Sequence, residues 1–116
     1  MQLITKAIEK RLRKNGEAQA ERDGANVEAK PVVKFFTPDA QATWLITEVD
    51  PDDPDRLFGL CDLGLGFPEL GYVSLHELQT IRGRFGLHVE RDMWFTPTKT
   101  LLEYAAEART KERIVA

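Results

Sequence analysis

The fold is decided by the stretch RLFGLCDLGLGFPELGY, residues 56–72, in which four glycines and one proline interrupt an otherwise apolar run. By the two-residue period of a β-strand, residues 57–63 place Phe58, Leu60 and Asp62 on one face and apolar or small residues on the other. Because both faces are largely apolar, this pattern predicts a central strand. The glycines that follow predict a tight, bulged turn, and Pro68 cannot continue a hydrogen-bonded ladder.

The same glycines raise the alternative of a nucleotide-binding loop. A phosphate loop needs a Gly-Lys-Ser/Thr sequence that opens a helix, whereas Gly64-Leu65-Gly66 is followed by Phe67 and Pro68. We therefore interpret the segment as a turn that leaves the sheet.

The chain has 116 residues, which suits one domain with a single core. Its one cysteine, Cys61, excludes an internal disulfide and indicates a reducing compartment. Its apolar runs fall short of the roughly 18 residues of a membrane span, and its first residues carry charge where a signal peptide would be apolar. We expect a cytoplasmic protein that does not contact a membrane.

Charge is distributed unevenly along the chain. The net charge is −3, but residues 31–96 hold five Lys/Arg against eleven Asp/Glu. An acidic body of this kind has no broad basic surface for duplex nucleic acid. It could instead bind a basic partner or imitate a phosphate backbone.

The first 30 residues are predicted to form an amphipathic helix and a linker. Residues 2–14 repeat apolar side chains at helical spacing, and Asn15-Gly16 predicts the stop. Residues 17–30 lack an apolar stripe, which indicates a linker or a short, marginal helix. The basic outer face of the helix is either solvated or a contact for nucleic acid or a partner.

Residues 31–116 are predicted to form an α+β core that folds as one unit with the N-terminal helix. The fold class is a mainly antiparallel sheet of about four to five short strands with three helices packed on it. Strands are expected over 32–36, 42–49, 57–63, 72–73 and 85–95, with an Asp/Pro hairpin turn over 50–55. Helices are expected after the cap Ser74 and after Thr96-Pro97, with Thr100 to Glu103 as an alternative capping box.

The last predicted strand carries the most informative side chain, Arg91, on its apolar face. A buried guanidinium must find a carboxylate or backbone carbonyls, and Asp62 and Glu69 are candidate carboxylates. The other face alternates His88, Glu90 and Asp92, which could hold a divalent metal but is also typical of a solvent face. We favour a structural ion pair for Arg91, with a binding role as the alternative.

Three segments carry a resemblance to a known family: PVVKFFTPDAQATW (31–44), FGLCDLGLGFPELG (58–71) and VERD (89–92). Together they resemble domain-of-unknown-function family 2958 over roughly residues 31–105, and the leading helix with Thr5-Lys6-Ala7-Ile8 is similar to an extension seen in members. The resemblance implies a small bacterial protein of plasmids and integrative elements. It implies no established activity and no catalytic residue.

The leading hypothesis is a non-enzymatic binding module of a mobile element that masks a host nucleic-acid-binding or defence protein through the acidic middle. It is expected to bind an unidentified protein partner, to need no cofactor or metal, and to be a monomer or weak homodimer. The candidate binding residues are Asp62, Phe67, Glu69, Glu90, Arg91 and Asp92.

Two alternatives remain open. One is nucleic-acid binding through the basic N-terminal helix with Arg82, Arg84 and Arg91, in which Trp94 could assist. The other is a small metal-dependent hydrolase that uses His88, Glu90 and Asp92 with Asp62.

Overall fold

The computed structural model describes residues 2–20 and 27–116, and they form an α+β fold. Five antiparallel strands make one sheet in the order β4-β3-β2-β1-β5, which confirms the predicted fold class. The strands are β1 (Val33–Phe36), β2 (Thr43–Asp50), β3 (Asp53–Asp62), β4 (Glu69–Ser74) and β5 (Glu90–Arg91). The helices are α1 (Lys6–Ala20), α2 (Leu75–Thr80) and α3 (Leu101–Lys111).

The central strands β2 and β3 are buried on both faces, as the apolar run at 57–63 predicts. Leu57 packs in the core on the α1 and α2 side, whereas Leu60 packs against α3 on the opposite side. Strand β3 begins at Asp53, earlier than the predicted start at Leu57. The hairpin turn is shorter than the predicted 50–55, because Asp50 already pairs with Asp53. The sheet is therefore covered by helices on both faces, with a separate apolar core on each.

Helix α1 does not stop at Asn15-Gly16, so that part of the prediction is wrong. The Asn15 side-chain amide donates to the Thr47 carbonyl at 2.8 Å. Gly16 lies so close to β2 that a Cβ atom there would collide with the Val49 carbonyl oxygen. Both residues thus attach the helix to the sheet. Of the rest of the predicted linker, residues 21–26 lie outside the described residues. Residues 27–30 are described, and the carbonyls of Val27 and Ala29 accept hydrogen bonds from the N–H groups of Leu102 and Leu101 at the start of α3.

The predicted strand over 85–95 is also wrong, because only Glu90–Arg91 pair with β1. The segment before β5 turns sharply, with Gly86 at φ 82°. Asp39 accepts hydrogen bonds from the backbone N–H groups of Phe85 and Leu87, so these groups bind a side chain and not a neighbouring strand. A side chain distant in sequence therefore overrides the local β preference.

Local capping signals set the starts of the two later helices. The Ser74 hydroxyl accepts from the Glu77 N–H at the start of α2, as predicted. For α3, the capping box of Thr100 and Glu103 is present, whereas the predicted start at Thr96-Pro97 is not. No helix among the described residues is long and apolar enough to cross a membrane.

Candidate functional site

Three loops meet at one end of the sheet. The β1–β2 and β3–β4 connections both lie at this end because β1, β2, β3 and β4 are consecutive neighbours that alternate in direction. The loop between α2 and β5 joins them through Asp39. We call residues 38–41, 63–67 and 83–87 together the loop surface; a shallow pocket lined by all three loops shows that they are neighbours.

Asp39 fixes the relative position of two of these loops. One of its carboxylate oxygens accepts from the Phe85 N–H at 2.6 Å and from the Leu87 N–H at 3.2 Å. The other oxygen is buried without a hydrogen-bond partner among the described residues. The carboxylate lies against Gly83, where any larger side chain would collide with it.

The loop surface exposes large apolar side chains. Leu65, Phe67 and Phe85 are each more than 70% exposed, and Leu63 is 60% exposed. Their turns need glycine, because Gly64 and Gly66 have φ values of 80° and 87°. Solvent-exposed apolar side chains concentrated on one set of loops are typical of an interaction surface.

A groove of about 710 Å³ opens beside the glycine turn. It runs between that turn, the β1–β2 hairpin and the end of α3, and three cations line it: Lys34, Lys111 and Arg113. Lys34 is already engaged, since its ammonium donates to the Ala116 carbonyl at 2.7 Å and lies 3.6 Å from the Asp92 carboxylate. The groove therefore has a largely polar lining, in which Lys34 is already engaged by other groups of the chain.

The predicted site residue Asp62 lies in the wall of this groove and is buried. One carboxylate oxygen accepts from the Gly64 N–H at 2.8 Å, and the other accepts from the Ile114 N–H at 3.0 Å. Asp62 thus holds the glycine turn and the segment after α3 in place. Its burial and its two backbone contacts give it a structural role.

The predicted site residues Glu90 and Arg91 of β5, and Asp92 directly after it, lie at the opposite edge of the sheet from β4. The Arg91 guanidinium donates to the carbonyls of Gln2 and Leu3 at 2.6 Å and 3.1 Å, which is the backbone alternative of the prediction. Asp92 faces Lys34, and Glu90 pairs across the sheet with Phe36. The structure therefore separates these residues from Phe67 and Glu69.

Glu69 begins β4 directly opposite Cys61 on β3. Burial, and to a smaller extent the Glu69 carboxylate, raise the pKa of the Cys61 thiol to about 11. A thiol in this state is a poor nucleophile at neutral pH, because only the thiolate reacts.

The acidic residues of the middle segment concentrate at the other end of the sheet, around the β2–β3 hairpin. Asp50 and Asp53 accept hydrogen bonds from the N–H groups two residues later, as expected for an Asp/Pro turn. Asp55 accepts from the Ser74 hydroxyl and from the His76 N–H, at 2.6 Å and 2.7 Å. These two hydrogen bonds hold the pKa of the Asp55 carboxyl group below its ordinary value.

The metal-site alternative receives no support from the geometry. Within the part of the chain that the structure describes, no group of three or more His, Cys, Asp or Glu side chains could hold a metal ion. His88, Glu90 and Asp92 do not lie on one continuous strand, because pairing is limited to Glu90–Arg91 and an isolated bridge at His88.

Comparison with known families matches a family model over residues 3–115, nearly the whole chain. The chain belongs to the family described as "Protein of unknown function (DUF2958)". The resemblance seen in the sequence is thereby confirmed, and the DUF2958 match extends it to both the first and the last helix. A search of curated proteins and a search of solved structures found no match.

Sequence reasoning found Phe67 but missed the side chains that accompany it in this DUF2958 protein. Leu63 and Leu65 alternate with the turn glycines, so their exposure could have been inferred from the turn itself. The sequence pattern predicts a strand at Phe85, and no local signal brings this residue to Asp39. That contact links positions 46 residues apart.

Proposed function

We propose that the chain is a non-enzymatic binding module that contacts a protein partner through the loop surface. The single observation that supports this function is the exposure of Leu63, Leu65, Phe67 and Phe85 on three adjoining loops. A monomer rarely leaves a concentrated apolar surface in water unless a partner covers it. The Asp39 bridge keeps the surface preformed, which lowers the entropic cost of binding.

The test places a photo-crosslinking amino acid at Leu65 or Phe85 in cells that encode the chain. We expect the same partner to crosslink from both positions. Trp94, which is 93% exposed on the loop after β5, is the matched control position, and no crosslink to that partner is expected there. Crosslinks of equal strength from Trp94, or none from Leu65 and Phe85, would contradict the proposal.

A narrower form of the proposal keeps the expected masking role in a mobile element. There the acidic end of the sheet would face a basic, nucleic-acid-binding host protein. Asp50, Asp53 and Asp55 already accept local hydrogen bonds, so we assign the main contact to the loop surface. Replacing the exposed Asp52 and Asp53 by Lys tests the narrower form. If this form is correct, the double Lys variant no longer crosslinks to the partner.

A second candidate function, nucleic-acid binding, is favoured by the outer face of α1. Five cations are exposed there: Lys6, Lys10, Arg11, Arg13 and Lys14. Glu9 pairs with Arg13 at 2.7 Å, and the other four cations remain for phosphate contacts. Two of the three arginines that the sequence adds to this candidate, Arg82 and Arg91, already donate hydrogen bonds to backbone carbonyls. They are therefore less available for phosphate contacts than the cations of α1.

Binding to single- and double-stranded oligonucleotides at rising salt tests this candidate. Four phosphate contacts predict a logarithmic salt slope of about −3 to −4. Substituting Lys10 and Lys14 by Gln would reduce that slope by about 2, whereas Lys99→Gln, on the α3 side, would not. A slope near zero would eliminate this function.

A further inference from the structure

Strand β4 forms one edge of the sheet, and β3 is its only strand partner among the described residues. An edge strand presents a row of unpaired backbone N–H and C=O groups that another strand can bind. Proteins usually block such edges with lysine, proline or a bulge. In β4 the only charged residue is Glu69 at the beginning, no proline lies within Glu69–Ser74, and its register with β3 is regular.

The side chains of β4 leave apolar surface beside this edge. Leu70 and Tyr72 lie on the α3 side of the sheet, opposite Leu60 and Phe58 of β3. They are 37% and 51% exposed. A shallow groove of about 450 Å³ between Leu70 and α3 continues this surface inward. Helix α3 therefore leaves the β4 side of the sheet incompletely covered.

The sequence of β4 is complementary to itself in the antiparallel direction. If two copies pair around a two-fold axis at Gly71, Leu70 of each copy lies opposite Tyr72 of the other, on the same face of the sheet. Glu69 then lies opposite Val73, so no like charges meet. A Cβ atom at Gly71 would have no neighbour within 4 Å, so the α1 and α2 face of the sheet is uncovered at the axis position.

We propose that β4 is a homodimerisation edge, at which two copies of this chain join their sheets into one continuous antiparallel sheet about a two-fold axis at Gly71. Each Leu70–Tyr72 pair removes apolar surface from water, and the strand backbones supply the hydrogen bonds. Because a single strand pair buries a small interface, we expect weak association, with a dissociation constant on the order of 10 µM.

Tyr72 is already positioned for this role. Its ring stacks edge-on against Phe58, with centroids 5.0 Å apart, and the Arg56 guanidinium lies 3.8 Å above it. Arg56 is in turn 3.7 Å from the Asp50 carboxylate, so its charge is balanced. The ring therefore has a defined orientation before a second copy arrives, which reduces the entropy lost on binding.

Charge exchange across the proposed axis tests both the edge and its register. Leu70→Lys with Tyr72→Lys puts like charges opposite each other at two places, and we expect a monomer at all concentrations by analytical ultracentrifugation. Leu70→Lys with Tyr72→Glu puts Lys opposite Glu at the same two places, and we expect a salt-sensitive dimer. Both positions are exposed, and circular dichroism and thermal unfolding would establish that each variant is folded.

The matched control is Met93→Lys with Trp94→Lys, which adds the same charge at exposed sites beyond β5 and should leave the dimer intact. If the wild-type chain stays monomeric at protein concentrations of about 10 times the expected dissociation constant or above, the proposal is overturned. A dimer that persists in the double Lys variant, or a folded Lys/Glu variant that stays monomeric, would also overturn it. A chain that binds only a different protein along β4 would overturn it as well.

This inference is independent of the proposed function. Crosslinking from Leu65 reports on the loop surface, whereas sedimentation of the purified chain reports on β4. Either result can fail without the other.

Discussion

The Asp62 carboxylate accepts a hydrogen bond from the backbone N–H of Ile114 at 3.0 Å, and so joins the end of the central strand β3 to a residue 52 positions later. The same carboxylate accepts from the Gly64 N–H. One buried side chain therefore holds both the glycine turn and the segment that follows α3. This arrangement explains why an aspartate follows Phe58 and Leu60 on the α3 side of β3.

Asp62→Asn should lower the free energy of unfolding by about 1–3 kcal/mol. The amide nitrogen cannot accept a hydrogen bond, so one buried backbone N–H loses its partner. Urea denaturation checks this value, with the exposed Asp52→Asn as the matched control, for which a change within about 0.5 kcal/mol is expected. Equal stability of the two variants would show that the Asp62 contacts are dispensable.

Gly16→Ala should destabilise the protein, although alanine is the better helix former by about 1 kcal/mol. The added methyl group would collide with the Val49 carbonyl oxygen, and separating α1 from β2 should cost about 1–3 kcal/mol. Glu17→Ala at the next, exposed position is the control and should be nearly neutral. Thermal unfolding distinguishes the two results, and a stabilised Gly16→Ala variant would contradict the observed helix packing.

Arg91→Ala should release the segment before α1, because the guanidinium holds the Gln2 and Leu3 carbonyls. We expect faster hydrogen exchange in residues 2–8 and a loss of about 1–3 kcal/mol of stability. Arg91→Lys should recover only part of the protection, since both hydrogen bonds are donated from Nη1, a position that the shorter lysine side chain does not reach. Arg11→Ala, on the exposed face of α1, is the control. If hydrogen exchange in residues 2–8 is unchanged in Arg91→Ala, Arg91 does not anchor this segment.

Asp55 should make the protein less stable in acid. Hydrogen bonds from the Ser74 hydroxyl and the His76 N–H lower its pKa below 3.8 in the folded state. Its contribution is therefore complete above the unfolded pKa and is lost as the pH falls through the lower folded value. In the Asp55→Asn variant, the free energy of unfolding should depend less on pH between about pH 4 and pH 2 than in the wild type. Urea denaturation over this pH range measures the effect. The same slope in wild type and variant would contradict it.

Cys61 should react slowly with alkylating agents. A pKa near 11, raised from 9.0, leaves a thiolate fraction at pH 8 about 100 times smaller than that of an ordinary thiol. The measurement is the rate of Cys61 alkylation as a function of pH, called the alkylation profile. Glu69→Gln removes the nearby negative charge and should shift this profile to lower pH. Glu77→Gln is the control and should leave it unchanged. A profile with its midpoint near pH 8.5 would contradict the burial of Cys61.

The sequence alone determined the elements whose causes are local. The apolar run at 57–63 required a strand buried on both faces, and alternation along residues 57–62 assigned the faces correctly, whereas Leu63 lies beyond the strand and is exposed. Ser74 and Thr100 marked helix starts because a capping hydroxyl bonds an N–H three residues away. These features depend on interactions within a few residues, so they are present in the sequence pattern itself.

Only the tertiary structure decided the features that depend on distant partners. Helix α1 passes through Asn15-Gly16 because β2 provides the Thr47 carbonyl and the close approach that glycine permits. The segment at 85–89 leaves the sheet because Asp39 binds its backbone. In both cases a contact more than 30 residues away outweighs the local preference, since tertiary contacts supply more free energy than the propensity of a single residue.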